Sequence, residues 1–300
     1  MIIRNNSMMK FLLCLEAYPA QIVKISLEDG SKEILLTISN GTPDGIWIDR
    51  STQKIYWTVM GKMTNPPEGY FAKDGSIECC NLDGSKHTVL VGNGSITTPK
   101  QITGNEETHR LYWCDREGMA LMSSLTDGSG LEVLVQHEKS ESDLNDIEKQ
   151  CVGITLDARK EYLYWTQKGP AKGGKGKIFR IRISQKYPVA ESAIELLMDH
   201  LPEPIDLEFG HKTGKLYWTD RGAEPEGNSL NCAEVSGSGE LVNHRIIAKG
   251  LKEGIGLALD EDENIAYTSD LGGYIRKINL TDGSEDIILQ QGPMTGIALL

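Results

Sequence analysis

Residues 216–220 read LYWTD, and the phrase returns with small changes along the whole chain. It is IYWT at 55–58, LYWCD at 111–115, LYWTQ at 163–167 and AYTSD at 266–270. Its aromatic and β-branched residue types are strand formers, so the phrase reads as a strand. The phrase tyrosines, Tyr56, Tyr112, Tyr164, Tyr217 and Tyr267, lie 56, 52, 53 and 50 residues apart. A repeat of about 50 residues is the length of chain that a four-stranded propeller blade uses.

Each phrase sits in a larger frame. A short apolar strand precedes it: GIWID at 45–49, GITLD at 153–157, IDLEF at 205–209 and GIGLALD at 254–260. A third strand follows and ends in Asp-Gly-Ser at 29–31, 83–85, 127–129 and 282–284. Asp-Gly between apolar runs is a hairpin signal, because the turn needs a positive φ that glycine adopts without steric cost. Fourth strands are expected at 33–38, 87–91, 131–135, 194–198, 245–248 and 286–289. The frame yields five complete blades and two fragments. Residues 11–16, 21–27 and 33–38 supply strands two to four of a sixth blade, and 294–300 supply its first. The prediction is one all-β domain over 1–300, a six-bladed β-propeller with four antiparallel strands per blade. Pairing of the N- and C-terminal strands in one blade closes it and removes the free edge around the ring. Helix is expected nowhere, save for helical composition at 141–149 within a loop.

Composition narrows the partners. With 31 basic and 43 acidic residues the net charge is -12, and no basic run offers the cationic footprint that a nucleic acid or an anionic membrane requires. No apolar stretch approaches the ~20 residues of a membrane span. The N-terminal apolar run is too short for a signal peptide and is needed as a strand, so a cytoplasmic protein is expected. The six cysteines have no framework spacing, and Cys79 and Cys80, adjacent on one strand, point to opposite faces. They read as small buried hydrophobes in a reducing compartment.

In a propeller, variable chemistry sits on the loops at one mouth of the central channel. The long connections at 60–75 and 138–150 could form a lid there. Asp44, Lys100, Gln101, Glu203, Asp206 and Glu253 lie at the starts of innermost strands and should face the channel. Arg116, Lys168 and Arg221 directly follow the aromatic strands. Tyr70 in the long loop, Cys151 at the head of an innermost strand and Met294 complete the candidate binding set. Arg116 and Arg221 occupy equivalent repeat positions after Asp115 and Asp220, so an ion pair between blades competes with a catalytic role. Asp115, Asp220 and Asp270 read as ties to loop backbone, and the phrase aromatics as core. No nucleophile elbow, zinc-protease helix, phosphate loop or dinucleotide fingerprint is present. Asp44, Asp206 and Glu253 could hold Ca²⁺, although that ion takes six or more oxygens and the set is short of that.

The repeated phrase, the Asp-Gly-Ser turns and the period resemble the six-bladed YWTD propellers of low-density-lipoprotein-receptor type over the whole chain. Within that class, TPDGIWID (42–49), TPKQI (98–102), LYWCDREGM (111–119), CVGITLD (151–157), YWTQKGP (164–170), LPEPIDLE (201–208), YWTDRG (217–222) and SDLGG (269–273) resemble stand-alone fungal propellers. These include the hetero-Diels–Alderases of tropolonic sesquiterpenoid biosynthesis. The resemblance implies a cofactor-independent cyclase of secondary metabolism. It would join a tropolone-type ortho-quinone methide to an apolar olefin such as humulene, with Arg116, Arg221 or Lys100 as the cationic donor. The alternatives are a non-catalytic propeller that binds a ligand or protein, and a Ca²⁺-dependent lactonase or esterase.

Overall fold

The computed structural model describes residues 9–65, 69–137, 146–183 and 186–300. Its strands form six four-stranded antiparallel sheets. From the channel outward, blade 1 contains Pro43–Asp49, Lys54–Val59, Ser76–Asn81 and Thr88–Val91. Blade 2 contains Pro99–Asn105, Arg110–Asp115, Ala120–Leu125 and Glu132–Gln136. Blade 3 is Cys151–Asp157, Tyr162–Gln167, Gly176–Arg182 and Glu195–Leu201, and blade 4 is Pro204–Gly210, Lys215–Asp220, Ser229–Val235 and Leu241–Lys249. Blade 5 is Gly254–Asp260, Ile265–Asp270, Tyr274–Asn279 and Glu285–Gln290. Blade 6 joins Met294–Leu299 to Phe11–Ala17, Ala20–Ser26 and Lys32–Thr37. The innermost strands touch in blade order and return from blade 6 to blade 1, which makes the ring.

The closure follows the predicted pairing. Leu12, Leu13 and Cys14 lie opposite Leu299, Ala298 and Ile297, and backbone bonds join Leu300 N to Phe11 O at 2.8 Å and Ala17 N to Pro293 O at 2.9 Å. At all four Asp-Gly-Ser turns the aspartate Oδ1 accepts the serine N–H at 2.9–3.0 Å, with the glycine at φ between 70° and 86°. Helix among the described residues amounts to two single turns, Ile147–Lys149 and Glu191–Ala193. The remainder of the 138–150 loop expected to be a lid, residues 138–145, lies outside the described residues, as do 66–68 of the 60–75 loop.

The phrase aromatics fill the spaces between blades. Trp57, Trp113, Trp165 and Trp218 are fully buried, with Tyr56, Tyr112, Tyr164, Tyr217 and Tyr267 beside them. Trp57 packs on His87, Trp165 on Phe179 and Trp218 on His244 at ring distances of 5.3, 5.4 and 5.0 Å. All six cysteines are buried free thiols, as read from the sequence.

Every innermost strand bulges at the same place, between its first and fourth residues: Pro43/Ile46, Pro99/Ile102, Cys151/Ile154, Pro204/Leu207 and Gly254/Leu257, with the matching shift in blade 6. A bulge leaves a backbone N–H outside the ladder. In blades 1, 3 and 4 the phrase threonine takes that proton: Gly45 N to Thr58 Oγ1 and Gly153 N to Thr166 Oγ1 at 2.8 Å, and Asp206 N to Thr219 Oγ1 at 3.2 Å. The same hydroxyl then donates into the next blade, Thr166 to Ile205 O at 2.7 Å and Thr219 to Ile255 O at 2.9 Å. Cys114 donates its thiol to Gly153 O at 3.4 Å, and Ser269 its hydroxyl to Thr295 O. Glycine at the bulge lets neighbouring strands approach, since a Cβ on Gly153 would meet Ile205 O at 2.0 Å and one on Gly296 would meet Asp44 O at 2.5 Å.

The outer pair of strands is also irregular, with a register shift in each of the six blades. At or beside each outermost strand one aliphatic side chain faces solvent: Ile34, Val89, Leu131, Leu196, Val242 and Ile287.

Two outcomes follow from the ring. Thr219→Val, which keeps the shape and removes both bonds, should lower unfolding free energy by about 1–3 kcal/mol in urea titrations. Removing residues 294–300 strips blade 6 of its inner strand and should abolish a cooperative unfolding transition.

Candidate functional site

One residue stands ahead of each bulge glycine, or of Gln101 and Asp206 that replace it, at the loop end of its innermost strand. These residues are Asp44, Lys100, Val152, Ile205, Ile255 and Thr295. Half of that circle is apolar: Val152, Ile205 and Ile255 are buried against one another, with Leu271 packed over them. The other arc carries the charged Asp44 and Lys100, with Thr295 donating its hydroxyl to Pro43 O at 3.0 Å.

Lys100 Nζ donates to Asp44 Oδ1 at 2.5 Å and lies 3.1 Å from Met60 Sδ. Gln101 Nε2 donates to the Asp44 carbonyl and Oδ2 at 3.2 and 3.3 Å. Burial pushes the Lys100 ammonium down to about 8; Asp44 opposes the shift and the Arg116 charge adds to it. Across the mouth, buried Glu203 gathers three donors, Lys168 Nζ at 3.3 Å, Arg221 Nε at 2.9 Å and the Lys172 N–H at 2.9 Å. Burial also lowers Lys168, against the pull of Glu203 and with the charges of Arg221 and Arg116. Arg116 is clamped through Nε by both oxygens of Glu117 at 2.9 Å, and its guanidinium stands 5.9 Å from the Tyr70 ring. Burial works against the guanidinium charge, and the Glu117 bonds more than offset it. Tyr70 is held by its carbonyl, which accepts from Thr98 Oγ1 at 2.6 Å. Among the described residues the terminal nitrogens of Arg221 and Nη1 of Arg116 make no further bond, which leaves them as donors toward the mouth.

The repeated Asp-Arg pairs are not ion pairs. Asp115 accepts the N–H groups of Thr97 and Thr98, Asp220 those of Glu203 and Gly222, and Asp270 those of Lys252 and Tyr274. The phrase aspartates therefore anchor loop backbone at blades 2, 4 and 5, as read from the sequence. Burial still raises Asp220 to about 6 against those bonds. The arginines look instead to Glu117 and Glu203. Glu117 was missed; adjacency to Arg116 was the only signal available.

Several candidates lie away from the mouth. The Cys151 thiol donates to Ala120 O at 3.1 Å inside the packing of blades 2 and 3. Met294 is fully buried between blades 5 and 6. Asp206 spends its carboxylate on the Leu207 and Leu257 N–H groups at 2.9 Å, which ties blade 4 to blade 5. Glu253 stands on the rim, 3.6 Å from Lys172 Nζ. With Asp44 bound to Lys100, the three carboxylates considered for Ca²⁺ do not converge. Among the described residues no group of three His, Cys, Asp or Glu side chains is placed to hold a metal ion.

No protein-family profile matches the chain. It is 43% identical to "Low-density lipoprotein receptor-related protein 1" of Pyricularia oryzae over 286 residues, covering 91% of this chain and 90% of that one. It is 38% identical over 275 residues to "3-hydroxyacyl-CoA dehydrogenase-like protein LAM1" of Cochliobolus heterostrophus, spanning 86% of this chain and 56% of the length of that protein. Among solved structures, a chain of a nidogen/laminin complex superposes with a TM-score of 0.75 over 97% of this chain and 98% of that one, at 18% identity, a likeness of fold. No helix among the described residues is long and apolar enough to cross a membrane. The near full-length likeness to the Pyricularia protein, joined to the five aromatic phrases and the six closed blades, makes this chain a member of the low-density-lipoprotein-receptor-related family of YWTD six-bladed propellers.

Proposed function

We propose that the loop mouth is the active site of a cofactor-independent pericyclase, an intermolecular hetero-Diels–Alderase. It would join a tropolone-type ortho-quinone methide to an olefinic sesquiterpene such as humulene. One observation carries the reading: Lys100, Arg116, Lys168 and Arg221 gather, within reach of one another's charges, beside the apolar Val152–Ile205–Ile255 cluster. A cycloaddition forms its bonds from the electrons of its two reactants and needs no nucleophile, which suits a mouth that presents cations and aliphatic wall. The apolar arc would hold the olefin, and the polar arc the oxygenated diene.

Holding both partners in attack geometry supplies up to ~7–11 kcal/mol in favourable cases. One cationic donor on the quinone-methide oxygen, where negative charge grows as the bonds form, supplies about 3–4 kcal/mol more. Arg221 and Arg116 suit that part: each is fixed by one carboxylate and keeps terminal N–H groups free. Their partners Glu203 and Glu117 would fix the guanidinium planes before substrate arrives.

A second reading is a binding propeller that grips an acidic or polar peptide through the same cations. Its support is that every cation at the mouth already has a carboxylate partner, as at exchangeable protein interfaces. The two readings differ in turnover.

With purified chain, an ortho-quinone methide precursor and humulene, Arg116→Gln and Arg221→Gln are each expected to slow adduct formation by about 10²–10³-fold while leaving the unfolding midpoint within a few degrees. Wild-type rates in both variants and in Lys100→Met would overturn the mechanism. Lys100 is a cation below its folded value of about 8 and neutral above it. A step that uses its charge should therefore decline as pH rises through that value, and the decline should be absent in Lys100→Arg.

A further inference from the structure

The opposite end of the channel, where the innermost strands finish, holds a cavity of about 420 Å³. Its wall is mixed: Ile48, Leu156, Ala258, Leu259 and Ala298 give it an aliphatic stretch, and Arg50, Lys212, Asp260, Glu261 and Asp262 stand around it. Two side chains set it apart, Trp47 from blade 1 and Glu208 from blade 4. Each pairs with the phrase tyrosine of its own blade, Trp47 with Tyr56 and Glu208 with Tyr217, so both stand at one level of the channel. Blades 1 and 4 are opposite in a ring of six, so the two residues line opposite sides of one cavity.

Trp47 is fixed in place. Its ring lies over Gly104, where an added Cβ would come within 2.6 Å of it, and it leans on Tyr56 at 5.6 Å. Glu208, by contrast, is barely satisfied. It accepts one long bond, from Thr155 Oγ1 at 3.5 Å, and among the described residues it has no ion-pair partner. The cations near the rim are engaged elsewhere, Lys212 with Asp262, and Arg50 with Leu299 O at 2.6 Å. Burial pushes the Glu208 carboxyl up to about 8; Thr155 and Arg50 oppose this, and Glu261 adds to it. The remaining charged or titratable groups around it are Asp206 on the same strand and His211, Lys212, Asp260 and Asp262 at the rim. An acid whose folded value lies above its unfolded one weakens the fold as pH rises past the unfolded value, so a neutral residue would serve the packing better. A carboxyl kept at such a position, in a cavity that an aromatic ring also lines, is arranged for a cation that it lacks.

We propose that this second mouth binds small primary ammonium ions with an apolar body, the ammonium held between the Glu208 carboxylate and the Trp47 ring. The body lies along the aliphatic wall, and the arriving charge draws the proton off Glu208. The site is independent of the loop mouth, and its occupancy does not depend on the reaction assigned there.

Trp47 alone of the five tryptophans is not fully buried, so acrylamide quenching of indole fluorescence reads this cavity. Phenethylamine, titrated into the full chain at pH 7.5, should bind one to one by calorimetry and shield Trp47 from acrylamide. Its neutral counterpart, phenethyl alcohol, should do neither. Glu208→Gln should weaken the amine at least tenfold and should melt no lower than the parent, because it removes an unpaired, partly buried acid. Absence of amine binding, equal responses to amine and alcohol, or unchanged affinity in Glu208→Gln would each overturn the assignment. The amine-to-alcohol comparison on the unaltered chain decides the matter even if the variant does not fold.

Discussion

The structure depends on one small device, a hydroxyl that serves two blades. Each innermost strand must bulge as it turns into the channel, and a bulge releases an N–H that burial would make expensive. The fourth residue of the aromatic phrase accepts that proton and gives its own to a carbonyl of the next blade, as Thr166 and Thr219 do in full. Cys114 and Ser269 keep the donating half. The aromatic pair ahead of it supplies the packing, but packing is non-directional. Where it is present the hydroxyl sets the spacing and rotation of one blade on its neighbour, and the settings at all six junctions must sum to a closed turn.

That setting also fixes the chemistry at the two ends of the channel. Since all six inner strands bulge at the same level, residues at equal offsets form flat circles. The circle at the loop mouth carries Asp44 and Lys100 on one arc and Val152, Ile205 and Ile255 on the other. Three residues further along, the circle carries Trp47 and Glu208 on opposing strands. Where glycine is replaced at the bulge, the side chain bridges the gap instead: Asp206 reaches Leu257 N, and Gln101 reaches Asp44. A polar residue at such a position is part of the frame even when it looks, in sequence, like part of a site.

This distinction explains what could be read beforehand. Blade number, strand pairing, the Asp-Gly-Ser turns and the closing strand follow from periodicity and local turn chemistry, which the chain states five or six times over. The tie between phrase aspartates and loop N–H groups was legible for the same reason. The partners of Arg116 and Arg221 were not, because Glu117 and Glu203 stand at different offsets in their blades and no repeat announces them. Cys151 and Met294 were assigned to the mouth from their place at strand heads, yet a one-residue change of facing within the bulge turns them into the packing between blades. Trp47 and Glu208 stand three blades apart, and a linear reading places both residues on strands without revealing that they line one cavity.

The rim of the molecule is shaped by irregularity of another kind. Each outermost strand is crimped against its neighbour and shows a single aliphatic residue to solvent. A crimped border offers no straight run of free amides and carbonyls onto which a foreign strand could align. Six outward borders, each apolar enough to invite company, are thereby kept from seeding fibres, and crowded copies of the molecule can graze one another without stitching together.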